Sequence, residues 1–255
     1  MTTTVFFAVP SYAGISDEEA RERCAAKALE EAGHVTGVAV LKHVALIDLV
    51  RAELTTLFMS KTKCGLVLYQ DDDISIAGKS ILRMIDIMAS RPDVGVISAP
   101  CKMRQEGHIY NISPTSAPDT DRLVECFWTG LGSVLVKREV LKTLYARNPR
   151  LWFKSQMVPG ASSVGLFNSV IGDAAEYEPS APEGVGIYLG DDRAFSHRLC
   201  QAGITIHAYV DAETDHRGLK GNLGADMKLA DEEARRQGQA PVEPVGLVGP
   251  NGRPL

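Results

Sequence analysis

Apolar positions in the first hundred residues alternate between two rhythms, a period of two and a period of about 3.6. Thr4 to Val9 is a β-rich apolar run, broken at Pro10, which cannot donate to a sheet ladder. Ser16 stands three residues before Glu19, the spacing of a capping box. It opens a helical pattern that runs to about Glu31 and stops at Gly33. Val35 to Val40 reads as a second strand. Ala45 to Ser60 is a strongly periodic helix carrying Asp48 and Arg51. Gly65 to Tyr69 is a third strand, Ser80 to Ser90 a helix, and Val94 to Ser98 a further strand. Strands alternating with helices predict an α/β fold, with a mostly parallel sheet and helices on its faces.

The rhythm then changes. Leu123 to Trp128 and Gly132 to Val136 read as short strands separated by Thr129-Gly130-Leu131, followed by a helix from about Arg138 to Ala146. Residues 155–186 are rich in Gly, Ser, Pro and Ala and have no period. A stretch of this length inside a compact domain is expected to be a functional lid or mobile loop. Asp191 to Gln201 is a helix and Ile204 to Val210 a strand. Residues 1–218 are expected to form a single domain. Residues 219–255 read as a Gly- and Pro-rich tail with a short helix near Asp226 to Gln237.

Composition narrows the class. The chain has 255 residues, of which 45% are hydrophobic and 23% charged, enough for one substantial core. A net charge of -5 argues against nonspecific nucleic-acid binding. No apolar run is long enough to span a bilayer, and Met1 to Ala8 lacks the basic start of a signal peptide. The five cysteines (Cys24, Cys64, Cys101, Cys126 and Cys200) are odd in number and form no CxxC pair. They read as reduced, mostly buried thiols of a cytoplasmic protein.

Candidate chemistry begins where the third strand ends. Leu66 to Tyr69 runs through Gln70 into Asp71-Asp72-Asp73. Adjacent carboxylates repel unless a cation sits among them, and at a sheet edge a divalent metal beside a phosphate-bearing substrate answers that need. Asp71 and Asp73 point to one side of an extended segment, and Asp72 faces away. The plain alternative is an acidic, solvated turn. Asp191-Asp192 is a second acidic pair, at a helix start where one carboxylate can cap and the other can accept a proton from an attacking hydroxyl. His216 follows the last strand. With an Asp and diphosphate oxygens it would suit Mn²⁺, with Mg²⁺ as the alternative. Pro10, Ser11 and Tyr12 close the first strand, where hydroxyls and a ring can hold a nucleotide base or simply make a turn. Arg51 can pair with Asp48 or reach a diphosphate.

Two phosphate motifs fail. Gly78-Lys79-Ser80 ends like a P-loop, but Asp73 occupies its leading glycine position. Gly130-Leu131-Gly132 begins like a dinucleotide fingerprint, but Leu135 occupies the third glycine position. Lys137, Arg138, Lys142, Arg147, Arg150 and Lys154 interleave with Tyr145, Trp152 and Phe153. They are read as a solvated helix face with core-facing rings rather than a nucleic-acid surface.

Taken in order, the pieces resemble the GT-A-fold glycosyltransferases that use a nucleotide-sugar donor. The resemblance spans about residues 4–218. It rests on Phe6 to Tyr12, Arg51, Leu68 to Ile74, Gly130 to Arg138, Gly190 to Arg198 and Asp215 to Gly218. It implies a Rossmann-like, mostly parallel sheet with a small antiparallel extension on the acceptor side. Asp71 and Asp73 match the family's DxD pair, Asp73 as direct metal ligand, and His216 matches the histidine that completes metal binding. Pro10, Ser11, Tyr12, Arg51, Asp71 and Asp72 fall where the family holds the nucleotide, commonly UDP. Trp128 and Gly130 fall near the acceptor and donor-sugar pocket. Asp192 matches the catalytic base of inverting members. Asp191 stands where the family more often has glutamate, so either carboxylate of the pair can be the base.

The expected activity is metal-dependent transfer of a sugar to a hydroxyl of a glycan, a small molecule, a protein or a modified nucleobase. The alternatives are a metal-dependent nucleotidyl- or phosphotransferase and a non-catalytic sugar- or nucleotide-binding module.

Overall fold

Alternation along β1 (Thr4–Ser11) serves two hydrophobic layers at once. Phe6 and Ala8 enter one core, and Val5, Phe7 and Val9 enter the other. A strand buried on both faces belongs in the middle of a sheet flanked by helices. The structure is a computed structural model that describes residues 3–12, 14–103, 109–177, 181–217 and 219–236.

The chain continues through α1 (Asp17–Arg23), α2 (Ala26–Glu31), β2 (Val35–Lys42), α3 (Ile47–Lys61), β3 (Leu66–Gln70), β4 (Ile74–Ile76), α4 (Gly78–Ser90) and β5 (Val96–Ser98). Next come β6 (Ile112–Pro114), β7 (Leu123–Thr129), β8 (Ser133–Lys137), α5 (Arg138–Arg147), β9 (Trp152–Lys154), β10 (Ser162–Val164), β11 (Val170–Asp173) and β12 (Gly186–Leu189). The described part closes with α6 (Asp191–Gln201), β13 (Ile206–Tyr209), β14 (Thr214–His216), β15 (Leu219–Gly221) and α7 (Leu223–Arg236).

Eight strands form a central sheet in the order β2-β1-β3-β8-β5-β13-β7-β6. Strands β8 and β7 run against the other six. Helices α1, α2 and α4 bury Ala20, Leu29, Ile81 and Met84 against one face, and α3, α5 and α6 bury Leu54, Phe58, Leu141 and Phe195 against the other. The architecture is therefore the expected α/β, Rossmann-like one with a mostly parallel sheet. Small antiparallel sheets accompany it: β9 with β10, β11 with β12, and β15-β14-β4.

Several elements depart from the sequence reading. The first strand does not stop at Pro10. It pairs with β2 through Ser11, but with β3 only as far as Ala8 opposite Tyr69, so Pro10 has a ladder on one side alone. The helix opened by Ser16, whose side chain accepts from the Glu19 amide at 3.0 Å, breaks at Ala25, which is left-handed at φ 53°. The 155–186 stretch is tied at its start. The buried Glu53 carboxylate accepts from the Ser155 hydroxyl and from the Gln156 amide at 2.9 Å. Further on, the stretch supplies β10, β11 and part of β12. Beyond residue 218, β15 pairs with β14, Leu223 is buried, and the Tyr110 hydroxyl donates to Asp226 at 2.7 Å. This part of the expected tail is thus paired and packed. Gln237, the end of the expected tail helix, and residues 238–255 lie outside the described residues, as does Gly218.

In the basic-aromatic segment Lys142, Arg147, Arg150 and Lys154 are exposed as expected, Trp152 is 47% exposed rather than core-facing, and Arg138 is structural. The Arg138 guanidinium donates to the carbonyls of Cys64 (2.7 Å), Phe58 (2.9 Å), Met59 (3.1 Å) and Thr62 (3.1 Å), and lies 4.1 Å over the Phe58 ring. It thereby serves the orphan carbonyls and negative dipole at the end of α3. Tyr145 packs edge-on to Trp152 at 5.4 Å. No helix among the described residues is long and apolar enough to cross a membrane. Replacing Arg138 with Met should leave those carbonyls without a donor and cost about 2–4 kcal/mol of stability. Thermal unfolding followed by circular dichroism would show it as a lowered Tm, and an unchanged Tm would sink the assignment.

Candidate active site

The Asp triplet follows β3 because a buried side chain holds the turn open there. Gln70, fully buried, donates from its amide nitrogen to the Ile74 carbonyl at 2.8 Å and accepts from the Ser133 hydroxyl at 3.0 Å. The Asp71 amide donates to the Gly132 carbonyl at 3.0 Å, and the Ile74 amide to the Asp71 carbonyl at 3.2 Å. Antiparallel β8 starts beside the end of β3, so Gly132 arrives at the turn without a crossover. A Cβ at Gly132 would stand 2.3 Å from Ile74 Cδ1, and one at Gly130 would stand 2.4 Å from Asn111 Nδ2. Side chains at either position would push into the groups that close the site.

Arg51 lies at the centre of the charge. It is 3% exposed, on a helix otherwise packed into the core. Its Nη2 donates to Asp71 Oδ1 at 2.7 Å, and its Nη1 donates to Asp191 Oδ2 and, at 3.3 Å, to Asp192 Oδ1. Of the two alternatives for Arg51, pairing with Asp48 is not observed: Asp48 accepts from the Leu49 amide, and the carboxylates that hold Arg51 come from distant elements. Asp191 and Asp192 stand in the first turn of α6, where the helix dipole favours carboxylates.

Asp73 and His216 form a second pair. His216 Nδ1 donates to the Lys102 carbonyl at 2.8 Å, which turns Nε2 to the opposite side. That Nε2 faces Asp73 Oδ2 at 3.4 Å. The pairing of β4 with β14, His216 opposite Ile74, fixes the approach. A cavity of about 290 Å³ is lined by Asp71, Asp73, Asp192, His216, Asn111 and Gly132, among others.

Burial raises the Asp192 carboxyl to about 7; Arg51 opposes the shift, and Asp191 and Asp71 add to it. Asp71 is raised for the same first reason, against the pull of Arg51. Cys101 also lines the cavity, but burial pushes its thiol up to about 12, so it is no thiolate nucleophile.

No family model and no curated protein matches the chain. Among solved structures it is similar to the crystal structure of A197 from STIV, with a TM-score of 0.50 and 12% sequence identity over 84% of this chain and 85% of that one. At that identity the likeness concerns the fold alone. A glycosyltransferase involved in the glycosylation of the major capsid of PBCV-1 aligns at TM-score 0.32 and 12% identity, over 62% of this chain and 68% of that one. The UTP-bound UGPase from Acinetobacter baumannii aligns at 0.40 and 12%, over 90% and 78%. Scores this low do not bear on the fold or activity of this chain.

The fold thus brings together Asp71, Asp73, Asp192 and His216 at one cavity, with Arg51 and Asp191 behind them. Asp72 points away and accepts from the Ser11 hydroxyl at 2.7 Å, tying the ends of β1 and β3. Ser11 also accepts from the Gly14 and Ile15 amides at 2.8 and 3.0 Å, so its hydroxyl is structural. Tyr12, next to Pro10 and Ser11, is 76% exposed. Gly130 packs on Asn111 rather than lining the cavity, and Trp128 lies under Arg193. Asn111, Gly132 and the Lys102 carbonyl were not expected. Only the glycine spacing at 130 and 132 hinted at a close approach there.

Among the described residues no group of three or more His, Cys, Asp or Glu is arranged to hold a metal. The expected triad of Asp71, Asp73 and His216 is therefore not preformed, and Asp71 Oδ1 is engaged by Arg51. Asp73 and His216 would supply one carboxylate and one imidazole to a cation that takes its remaining ligands from phosphate oxygens and water.

Asp192 has a consequence for stability. Its folded-state value of about 7 lies above the unfolded value of about 3.9. Between these values the folded chain holds a proton that the unfolded chain has lost, so this group's contribution falls as pH rises from about 4 to about 7. Asp192→Asn should therefore gain stability relative to the parent between pH 5 and pH 8. Urea unfolding at the two pH values tests this, and a difference that does not change with pH would refute it.

Proposed function

We propose that the protein transfers a sugar from a nucleotide-sugar donor, a UDP-sugar being the first to test, to an acceptor hydroxyl. The observation that carries this reading is the meeting of Asp71, Asp73, Asp192 and His216 around one cavity at the sheet edge. The three lining carboxylates would repel a diphosphate more than the cations Lys102 and Arg217 beside them offset. Mn²⁺ or Mg²⁺, held by Asp73 and His216, would neutralise the charge that builds on the departing diphosphate. Gln70 and Gly132 fix the Asp turn, and the Lys102 carbonyl orients the His216 ring. Tyr12 offers an exposed ring at the end of β1 for the nucleobase.

Asp192 acts as the base, accepting the proton of the attacking hydroxyl as that oxygen bonds to the anomeric carbon and the diphosphate leaves. Asp192 suits this better than Asp191. Asp191 is held by a close Arg51 contact, whereas the Arg51–Asp192 contact is the longer one at 3.3 Å. A base near neutrality is matched to the proton it must take.

The test is a screen of nucleotide sugars with Mn²⁺, followed by assay of the Asp192→Asn variant. Release of nucleoside diphosphate supports the reading. Asp192→Asn should lose about 100- to 10,000-fold in kcat with donor affinity little changed. Release of pyrophosphate would identify nucleotidyl transfer instead. Binding of donors with no turnover of any would reduce the protein to a binding module.

A further inference from the structure

Arg193 is the third residue of α6, one step beyond Asp192. Its guanidinium lies 4.8 Å over the ring of Trp128, at the end of β7. It makes no hydrogen bond and no ion pair among the described residues. A cation in the first turn of a helix opposes the helix dipole, which favours Asp191 and Asp192 beside it. Those carboxylates do not account for Arg193 either, because Arg51 is the cation that pairs with them. The indole beneath it localises the guanidinium and leaves its N–H groups without a hydrogen-bond partner among the described residues; that fork matches a carboxylate or phosphate. The same helix start gives Asp192 to the cavity.

We propose that Arg193 and Trp128 form the acceptor subsite, and that the acceptor carries a carboxylate or phosphate near the hydroxyl that is glycosylated. The acceptor role rests on the glycosyl-transfer reading; the capture of an oxyanion rests on the Arg193–Trp128 geometry alone. Arg193 selects the acceptor by its charge, and the Trp128 ring holds the guanidinium in place.

The chain has two tryptophans, so Trp152→Phe leaves Trp128 as the sole indole reporter. In that background, fluorescence is titrated with methyl glucuronide, with glucose 6-phosphate and with uncharged methyl glucoside. Saturable change with an anionic probe, at least about tenfold tighter than with the neutral one, is the expected result. The glucuronide and phosphate arms show which oxyanion is preferred. Arg193→Gln should abolish the difference, and Arg193→Lys should restore part of it, with near-ultraviolet circular dichroism confirming that both variants fold. Equal response to charged and neutral probes, or no response to any, overturns the proposal. UDP with Mn²⁺ that displaces the glucuronide by occupying Trp128 itself would overturn the acceptor assignment. Donor hydrolysis in the Trp152→Phe protein is measured separately. If it is absent while anion binding persists, the transfer reading fails and the oxyanion site stands.

Discussion

One buried guanidinium holds the acid-bearing edge of this protein together. Arg51 comes from the helix before the acidic strand, Asp71 from the end of that strand, and Asp191 and Asp192 from a helix 140 residues further on. Burying any one of these charges alone is costly. Together they form a cluster in which the cation is sealed and the carboxylates stay partly open to the cavity. The arrangement spends part of the acidic charge on holding the site's own geometry. It leaves Asp73, His216 and Asp192 lining the cavity.

The sheet topology explains why these pieces can meet. In an open parallel sheet, ligands gather at the carboxyl ends of the strands. Reversing β8 brings the amino end of one strand to that same edge, so the short Gly130–Gly132 connection touches the Asp turn directly. The β15-β14-β4 ribbon then folds His216 back toward Asp73. The end of β3 delivers Asp71 and Asp73, the start of α6 delivers Asp192, and antiparallel strands deliver the backbone and the imidazole that frame them.

The parts readable in the sequence are those with long local patterns. The apolar runs of β1 and β3, the capping spacing of Ser16 and Glu19, and the acidic starts at Asp71 and Asp191 all express themselves within a few residues. Strands of three residues, such as β4, β6 and β14, are too short to show a period, and their pairings come from distant partners. The fate of Arg51 was unreadable for the same reason: nothing near it in the chain announces Asp191. Asn111 and the Lys102 carbonyl carry no motif at all, since their roles depend on where a loop is brought, not on what it contains. Pro10 looked like a strand terminator because sequence cannot tell a strand with two neighbours from one that has lost a neighbour.

Helix α3 is gripped by arginine chemistry at both ends. Arg51, on its first half, is locked to carboxylates, and its last carbonyls are held by Arg138 from α5. A rod fixed at two points cannot slide or turn, so it behaves as a ruler. Each residue of helix contributes about 1.5 Å of length and about 100° of rotation. Inserting or deleting a single residue between Arg51 and Phe58 would therefore swing the guanidinium away from its acids even if every side chain at the cavity were kept. The charge balance of this site is set by a residue count along a helix that faces no ligand.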